Sequence, residues 1–225
     1  MTTVLLFDVD GTLVSTGGAG RLAMAQAFEE VCGSAEALDD IDFGGMTDRS
    51  ILRIGVERLG RRFDEDTFNA IVAVYVARLG ATVAESTGYV VMPNVEETLE
   101  ACAAEGAWMG LGTGNVRRGA QIKLEPAGLH RHFEFGGFGD DAEDRAELIG
   151  TAARRGAAKA GRALEECRVV IIGDTPRDID AAHAIGATCL GVATGGYDAD
   201  ALAAADRVVE TLADPRALSF LLRGE

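Results

Sequence analysis

The sequence predicts an α/β fold in which helices cover both faces of a parallel sheet. Short apolar runs without apolar–polar alternation are typical of strands that are buried on both faces. Such runs lie at residues 3–7, 108–111, 168–172, 188–192 and 207–209, with a weaker one at 133–138. Ala-rich stretches with helical spacing lie between them, and this alternation of strand and helix indicates a parallel sheet.

The helical stretches follow the strands in chain order. Residues 95–105 carry apolar side chains at helical spacing, at Val95, Leu99, Cys102 and Ala103. Residues 116–127 follow the second strand and residues 179–185 follow the fourth, so each predicts a helix that crosses from one strand to the next.

Residues 18–87 have a different organisation, because they show helical patterns and no convincing strand. The patterns cover residues 21–31, 48–59 and 64–84. An all-helical insert of this length is too long for a single crossover between strands. We therefore expect a separate helical domain at 18–87, inserted into a core domain formed by residues 1–17 and 88–225.

Charge and composition exclude several classes of protein. The chain has 225 residues, with 21 Lys and Arg against 36 Asp and Glu, a formal net charge of −15. This charge repels nucleic acids. No run of about 18 apolar residues predicts a membrane span, and the N-terminus lacks the pattern of a signal peptide. The four cysteines are far apart and suit a reducing compartment, so we expect a cytoplasmic protein.

The strongest motif is Asp8-Val9-Asp10-Gly11-Thr12, directly after the first predicted strand. Ligands of parallel α/β sheets bind at the carboxyl ends of strands. Side chains alternate along an extended chain, so Asp8 and Asp10 point the same way. Gly11 allows a sharp turn there.

The second motif, Gly112-Thr113-Gly114-Asn115, follows the second strand and opens a helix. Unpaired amides at the start of a helix favour an anion such as phosphate, and Thr113 adds a hydroxyl donor. The loop is not a dinucleotide-binding motif, because Asn115 stands where the last glycine belongs.

The third motif, Gly173-Asp174-Thr175-Pro176-Arg177-Asp178, follows the strand predicted at 168–172. Asp174 beside Asp8 and Asp10 would form an oxygen-rich cluster of the kind that Mg²⁺ prefers. Asp178 suits either this cluster or the start of the next helix.

These three motifs, in this order, resemble the haloacid dehalogenase-like (HAD) phosphatase superfamily, and the resemblance covers nearly the whole chain. The helical insert is similar to the C1-type cap of phosphoglycolate phosphatases and β-phosphoglucomutases. The resemblance implies a Rossmann-like core with strand order 5-4-1-2-3 and an inserted α-helical C1 cap.

The resemblance also implies roles for the motif residues. Asp8 would form an aspartyl-phosphate intermediate, and Asp10 would protonate the leaving oxygen and then activate water. Thr113 would bind the phosphoryl group. Mg²⁺ would be held by Asp8, the carbonyl of Asp10 and Asp174, with Asp178 in support.

One departure from the family pattern concerns its third motif, which is usually a lysine. Residues 139–146 contain no lysine, so Arg145 is the first candidate for the cation that links nucleophile and phosphate, and Lys123 is the second. In C1-capped relatives the part of the cap around Thr47, Asp48 and Arg49 faces the substrate. Thr47 or Asp48 also suits a helix N-cap, and Arg49 suits either a leaving-group contact or a solvated helix start.

We therefore expect a Mg²⁺-dependent phosphatase acting on a small phosphorylated metabolite, as a monomer or homodimer, with no nucleic-acid or membrane partner. A sugar-phosphate mutase of the β-phosphoglucomutase type is an alternative, because it uses the same intermediate. A receiver-like module that accepts phosphate on an Asp is a non-enzymatic alternative, although receivers lack the helical insert and the D-x-D-G-T motif. Phosphoglycolate, a sugar phosphate and a nucleoside monophosphate all fit as substrates.

Overall fold

A computed structural model, which describes residues 2–225, contains a six-stranded parallel sheet and a separate two-stranded ribbon. The strands are β1 (Thr2–Phe7), β2 (Val14–Thr16), β3 (Tyr89–Val91), β4 (Trp108–Gly112), β5 (Gly136–Gly137), β6 (Cys167–Gly173), β7 (Thr188–Val192) and β8 (Arg207–Val209). The parallel sheet has the order β5-β4-β1-β6-β7-β8. Counted along the chain within this sheet alone, the strands β1, β4, β5, β6 and β7 are the first to the fifth. Read from β7 to β5, their order is 5-4-1-2-3, so the expected order is confirmed, and β8 adds a sixth strand at one edge.

Eight α-helices accompany the strands in the described residues. They are α1 (Ala19–Cys32), α2 (Asp48–Arg58), α3 (Glu65–Glu85), α4 (Val95–Ala104), α5 (Arg117–Leu124), α6 (Arg145–Lys159), α7 (Pro176–Ala184) and α8 (Pro215–Arg223). Short 3-10 helices lie at Ala35–Leu38, Leu129–His132 and Leu164–Glu166.

Both faces of the sheet are covered, as the uninterrupted apolar runs predict. On β1, Leu5 and Phe7 pack in one apolar cluster with side chains of α4, α5 and α8. Val4 and Leu6 point the other way and pack in a second cluster with side chains of α6 and α7. All four side chains are fully buried, so β1 is the central strand of the core.

Helices α1, α2 and α3 lie in the predicted cap and share an apolar cluster, which Val116 and Ile122 of the predicted core domain join. The chain enters the cap after β2 and leaves it before β3, and these two strands pair as an antiparallel ribbon. Gly17 and Gly88 lie in contact at this place, since a Cβ on Gly17 would be 2.6 Å from the Cα of Gly88. The predicted domain boundaries fall here, and the division into two domains stays a prediction.

Helix α3 is long and apolar enough, by length and composition alone, to cross a membrane. Its buried side chains, however, pack within the cap: these are Phe68, Ile71, Tyr75, Leu79 and Val83. One face of α3 therefore packs within the cap.

Candidate active site

Three carboxylates meet at the carboxyl ends of two neighbouring strands. Asp8 follows β1, Asp174 follows β6, and Asp178 lies in the first turn of α7. Their side chains are buried, and each offers an oxygen within 4.8 Å of the other two. Buried charges of one sign are costly unless cations accompany them. The geometry therefore indicates a site for positive charge.

The pKa values of the two strand-end carboxylates reflect this crowding. Burial is the largest effect, and it raises the pKa of Asp8 to about 6 and that of Asp174 to about 8. The guanidinium of Arg145 opposes the rise at Asp8, while the charge of Asp178 adds to it at both residues. A cation bound among these carboxylates would favour their ionised forms.

Arg145 joins the carboxylate cluster to the cap. Its Nη2 atom lies 3.1 Å from Oδ2 of Asp8, and its Nε donates to Oδ1 of Asp178 at 3.1 Å. Its Nη1 donates to the carbonyl oxygen of Gly45, in the cap, at 3.0 Å. The first candidate for the missing lysine thus lies against the predicted nucleophile.

Lys123 lies in the same site but contacts the other aspartate of the first motif. Its Nζ is 2.9 and 2.7 Å from the two carboxylate oxygens of Asp10, and 2.7 Å from Oδ1 of Asn115. The amide of Asn115 in turn donates to Asp10 and to the Thr113 hydroxyl, both at 2.8 Å. The structure therefore brings both candidate cations to the site, each beside a different aspartate.

The Asp10 side chain is not part of the carboxylate cluster described above. Its carboxylate is held by Lys123 and Asn115, which leaves its backbone carbonyl as the group that the resemblance assigns to the metal. That assignment stays a prediction.

The anion site expected at the start of α5 needs a correction. The amide of Val116 already donates to Oδ2 of Asp48 at 2.7 Å, and the amide of Arg117 donates to the Asp140 carboxylate. Carboxylates of the chain itself thus occupy the positive end of this helix. Thr113, Gly114 and Asn115, the predicted phosphate-binding residues, still line the cavity and stay candidates for binding phosphate.

The three cap residues predicted to face the substrate have different positions. Thr47 is the N-cap of α2, accepting from the Ser50 amide at 3.1 Å. Asp48 lines the cavity, but Arg49 does not. Arg49 instead pairs with Glu65 at 2.6 Å and stacks on Phe68. The expected leaving-group contact of Arg49 is therefore not supported by the geometry.

A cavity of about 270 Å³ lies between the core and the cap. Asp8, Asp10, Lys123 and Arg145 line its core side, while Met24, Phe43, Ile51 and Tyr75 are among the residues that line its cap side. The carboxylates thus open onto a space that both parts of the chain enclose.

Three residues of the site were missed in the sequence: Thr12 and Gly195, which contact Asp174, and Tyr75, which lines the cavity. The Thr12 hydroxyl donates to Asp174 at 2.8 Å, although only the aspartates of its motif were assigned roles. Gly195 packs so closely that a Cβ there would be 1.7 Å from Asp174 Oδ2. Gly195 lies shortly after the strand at 188–192, so the rule that sites form at strand ends could have found it. Tyr75 had no sequence signal, because it lies within an apolar helix pattern.

A model of the haloacid dehalogenase-like hydrolase family matches residues 5–192. The match runs from β1 to β7 and includes all three motifs. The chain belongs to the haloacid dehalogenase-like hydrolase family.

Solved structures with the same fold cover nearly the whole hydrolase. A hydrolase from Pseudomonas syringae is 23% identical, with a TM-score of 0.69, over 99% of this chain and 97% of that one. A predicted phosphoglycolate phosphatase from Haemophilus somnus is 22% identical, with a TM-score of 0.69, over 97% and 98%. A β-phosphoglucomutase from Clostridium difficile is 17% identical, with a TM-score of 0.72, over 100% and 98%. These likenesses establish the fold, and no curated protein matches the chain.

Proposed function

We propose that this hydrolase is a Mg²⁺-dependent phosphatase that hydrolyses phosphate monoesters of small metabolites through an aspartyl-phosphate on Asp8. One observation carries the proposal: Asp8 is buried beside Asp174 and Asp178, contacts the Arg145 guanidinium, and faces a cavity that Asp10 also lines. A carboxylate nucleophile, a candidate acid and positive charge are thereby gathered at one place.

The residues present fit a magnesium ion. Three carboxylates converge, and an all-oxygen donor set suits Mg²⁺ and not a metal that prefers sulfur or imidazole. Asp8, Asp174 and the backbone carbonyl of Asp10 would hold the ion, which when bound would offset negative charge on the transferring phosphoryl group. Asp178 would act in support, because its two oxygens already accept from Arg145 and Thr175.

The side chains account for both halves of the reaction. A carboxylate oxygen of Asp8 forms a bond to phosphorus as the bond to the leaving oxygen breaks, and Asp10 donates the proton that this oxygen takes up. Water then attacks phosphorus, Asp10 takes its proton, and the bond to Asp8 breaks to release phosphate. Lys123 contacts both oxygens of the Asp10 carboxylate at less than 3 Å, which positions it as the base of the second half.

Two isosteric substitutions test the proposal with p-nitrophenyl phosphate and Mg²⁺. Asp8→Asn is expected to abolish turnover while circular dichroism shows an intact fold, because an amide cannot form the intermediate. Asp10→Asn is expected to slow phosphate release by roughly 10²–10⁴-fold, the usual contribution of a positioned acid or base. Turnover that persists in Asp8→Asn would remove Asp8 as the nucleophile.

The same assay distinguishes the alternatives. A receiver-like module would take up one phosphoryl group per chain and stop. A mutase, given β-glucose 1-phosphate, would yield glucose 6-phosphate in place of free phosphate. We expect continuous release of phosphate in both experiments.

A further inference from the structure

The cap places a free hydroxyl group in the cavity. Tyr75 lies in the middle of α3 and is only 1% exposed. Its ring lines the cavity beside α5, where a Cβ on Gly119 would lie 3.6 Å from the Tyr75 hydroxyl oxygen. Among residues 2–225 this hydroxyl has no hydrogen-bond partner. This hydroxyl, on a residue that lines the cavity, is therefore available to a ligand there.

The cap also places a carboxylate oxygen there. Asp48 is 6% exposed and lines the same cavity. Its Oδ2 accepts from the Val116 amide at 2.7 Å, whereas Oδ1 accepts no hydrogen bond from any described residue. A phenol can donate and a carboxylate can accept, so together they match an alcohol hydroxyl, which does both.

The other residues that line the cap side of the cavity indicate which ligand charge it favours. Met24 and Ile51 are buried apolar side chains. Arg21 is a cap cation at the cavity, but its guanidinium donates to the carbonyls of Ile41 at 2.9 Å and Leu38 at 3.1 Å.

The cavity-lining cations of the core side, Lys123 and Arg145, are paired with Asp10 and Asp8. Among the described residues Asp48 has no ion-pair partner, so its negative charge acts on the cavity more directly than that of a paired carboxylate.

We infer that Tyr75 and Asp48 bind a hydroxyl group of the leaving alcohol, so that the preferred substrates are phosphates of small neutral polyols or monosaccharides. The inference rests on the proposed function and narrows its substrate class. A leaving group with a second acidic group is disfavoured, because Asp48 would repel it. The leaving alcohol is expected to be small, because the cavity volume of about 270 Å³ lies just below the roughly 300–1,000 Å³ of typical ligand pockets.

The first test compares two substrates that differ only in hydroxyl groups, glycerol 1-phosphate and n-propyl phosphate. The wild-type hydrolase is expected to have a kcat/KM at least about tenfold higher for glycerol 1-phosphate, since a site built to bind a hydroxyl rejects an analogue without it. Tyr75→Phe removes one oxygen and keeps the ring. It is expected to bring the ratio of the two kcat/KM values toward one, with propyl phosphate little affected.

A matched control makes the same chemical change outside the cavity. Tyr197 donates its hydroxyl to Asp42 at 3.0 Å and is not among the cavity-lining residues. Tyr197→Phe is expected to leave the ratio of the two kcat/KM values unchanged. A ratio that falls equally in both variants, or a wild-type ratio near one, would overturn the inference.

The second test concerns charge. Asp48→Asn keeps an oxygen that can accept from Val116 and removes the negative charge. It is expected to raise kcat/KM for phosphoglycolate relative to glycerol 1-phosphate by about tenfold, and an unchanged ratio would overturn the charge argument.

The two proposals fail in distinguishable ways. Hydrolysis of p-nitrophenyl and propyl phosphate without a preference for hydroxylated substrates would overturn the inference about Tyr75 and Asp48 alone. A hydrolase that turns over no phosphate monoester would overturn the proposed function, and this inference with it.

Discussion

At the residue scale, the geometry of Arg145 explains why this chain can use arginine where its family usually has lysine. The planar guanidinium contacts Asp8, Asp178 and the carbonyl oxygen of Gly45 through different nitrogens. A lysine ammonium is a compact point charge and cannot reproduce this fork. The arginine therefore ties the nucleophile and the cap to one rigid group.

Arg145→Lys tests this reading. The positive charge stays but the three-way contact is lost, so kcat for p-nitrophenyl phosphate is expected to fall by about 10²-fold, as when one charge-stabilising donor is removed. Arg154→Lys, at an exposed position on the same helix, is the control and is expected to leave kcat unchanged. A fully active Arg145→Lys variant would show that charge alone suffices.

The buried carboxyl of Asp48 is expected to make the free energy of unfolding depend on pH. Burial raises the pKa of this carboxyl from its ordinary 3.8 to about 6. The folded state therefore binds the proton more tightly than the unfolded state does. The stabilising contribution of this carboxyl is present below about pH 4 and is lost as the pH rises through about 6. Asp48→Asn does not titrate. Between pH 4 and 7 the free energy of unfolding of Asp48→Asn is therefore expected to rise relative to that of the wild type, by up to about 3 kcal/mol.

Urea unfolding of both proteins across this pH range measures the effect. A difference in unfolding free energy that does not vary with pH would contradict the assignment of a raised pKa to Asp48. If the variant is more stable at neutral pH and less selective, Asp48 is a residue kept for function at a cost in stability.

At the scale of elements, most strands of the main sheet could be predicted from the sequence because they are uninterrupted apolar runs, including the three residues of β8. Helices α6 and α8 and the two-stranded ribbon were not predicted. The strands after which Asp8 and Asp174 lie were found because they are long apolar runs. The ribbon of β2 and β3 was missed because each strand has three residues and pairs outside the main sheet. The predicted strand at 133–138 is reduced to Gly136–Gly137.

The residues of the candidate site also differ in how far the sequence predicts them. Asp8, Asp10 and Asp174 could be predicted because they follow strands within a motif. Tyr75 could not, because its role depends on which face of α3 meets the cavity, and that is set by how the cap packs on the core.

The cap loop, defined as residues 42–48, docks on the core through close backbone contacts. A Cβ on Gly114 would lie 2.1 Å from the carbonyl oxygen of Met46. Gly45, with φ of +67°, packs against Thr175, where a Cβ would be 2.4 Å from Oγ1. Neither position has room for a side chain, so docking of the loop depends on both glycines.

Gly114→Ala is therefore expected to hold the cap loop away from the core. Because a displacement of about 1 Å can cost 10²-fold in rate, kcat/KM is expected to fall by about that factor. The control is Gly80→Ala in α3, where nothing lies within 4 Å of the added Cβ and helix propensity favours alanine by about 1 kcal/mol. Equal kcat/KM values in the two variants would show that loop docking does not limit the reaction.

At the scale of the whole molecule, the hydrolase is strongly acidic although its proposed substrates are anions. The net charge is −15, and the two cations of the site are buried and paired with aspartates. Positive charge thus acts at short range, while the long-range field repels the substrate.

Added salt should therefore help the enzyme at low substrate concentration. Raising the ionic strength from about 0.01 to 0.1 M shortens the Debye length from about 30 to 10 Å. The kcat/KM for a dianionic phosphate monoester is expected to rise by roughly two- to tenfold, with kcat nearly constant because it refers to bound substrate. Steady-state kinetics in KCl with fixed Mg²⁺ measure this, and a falling kcat/KM would indicate an attractive field at the cavity mouth.

The contact between Gly17 and Gly88 has a mechanical consequence. The two chain segments that join cap and core touch at this place, so they act as one pivot. A body held at a single pivot swings and does not slide. The direction in which the cap can move over Asp8 is therefore set by the place where these two glycines meet.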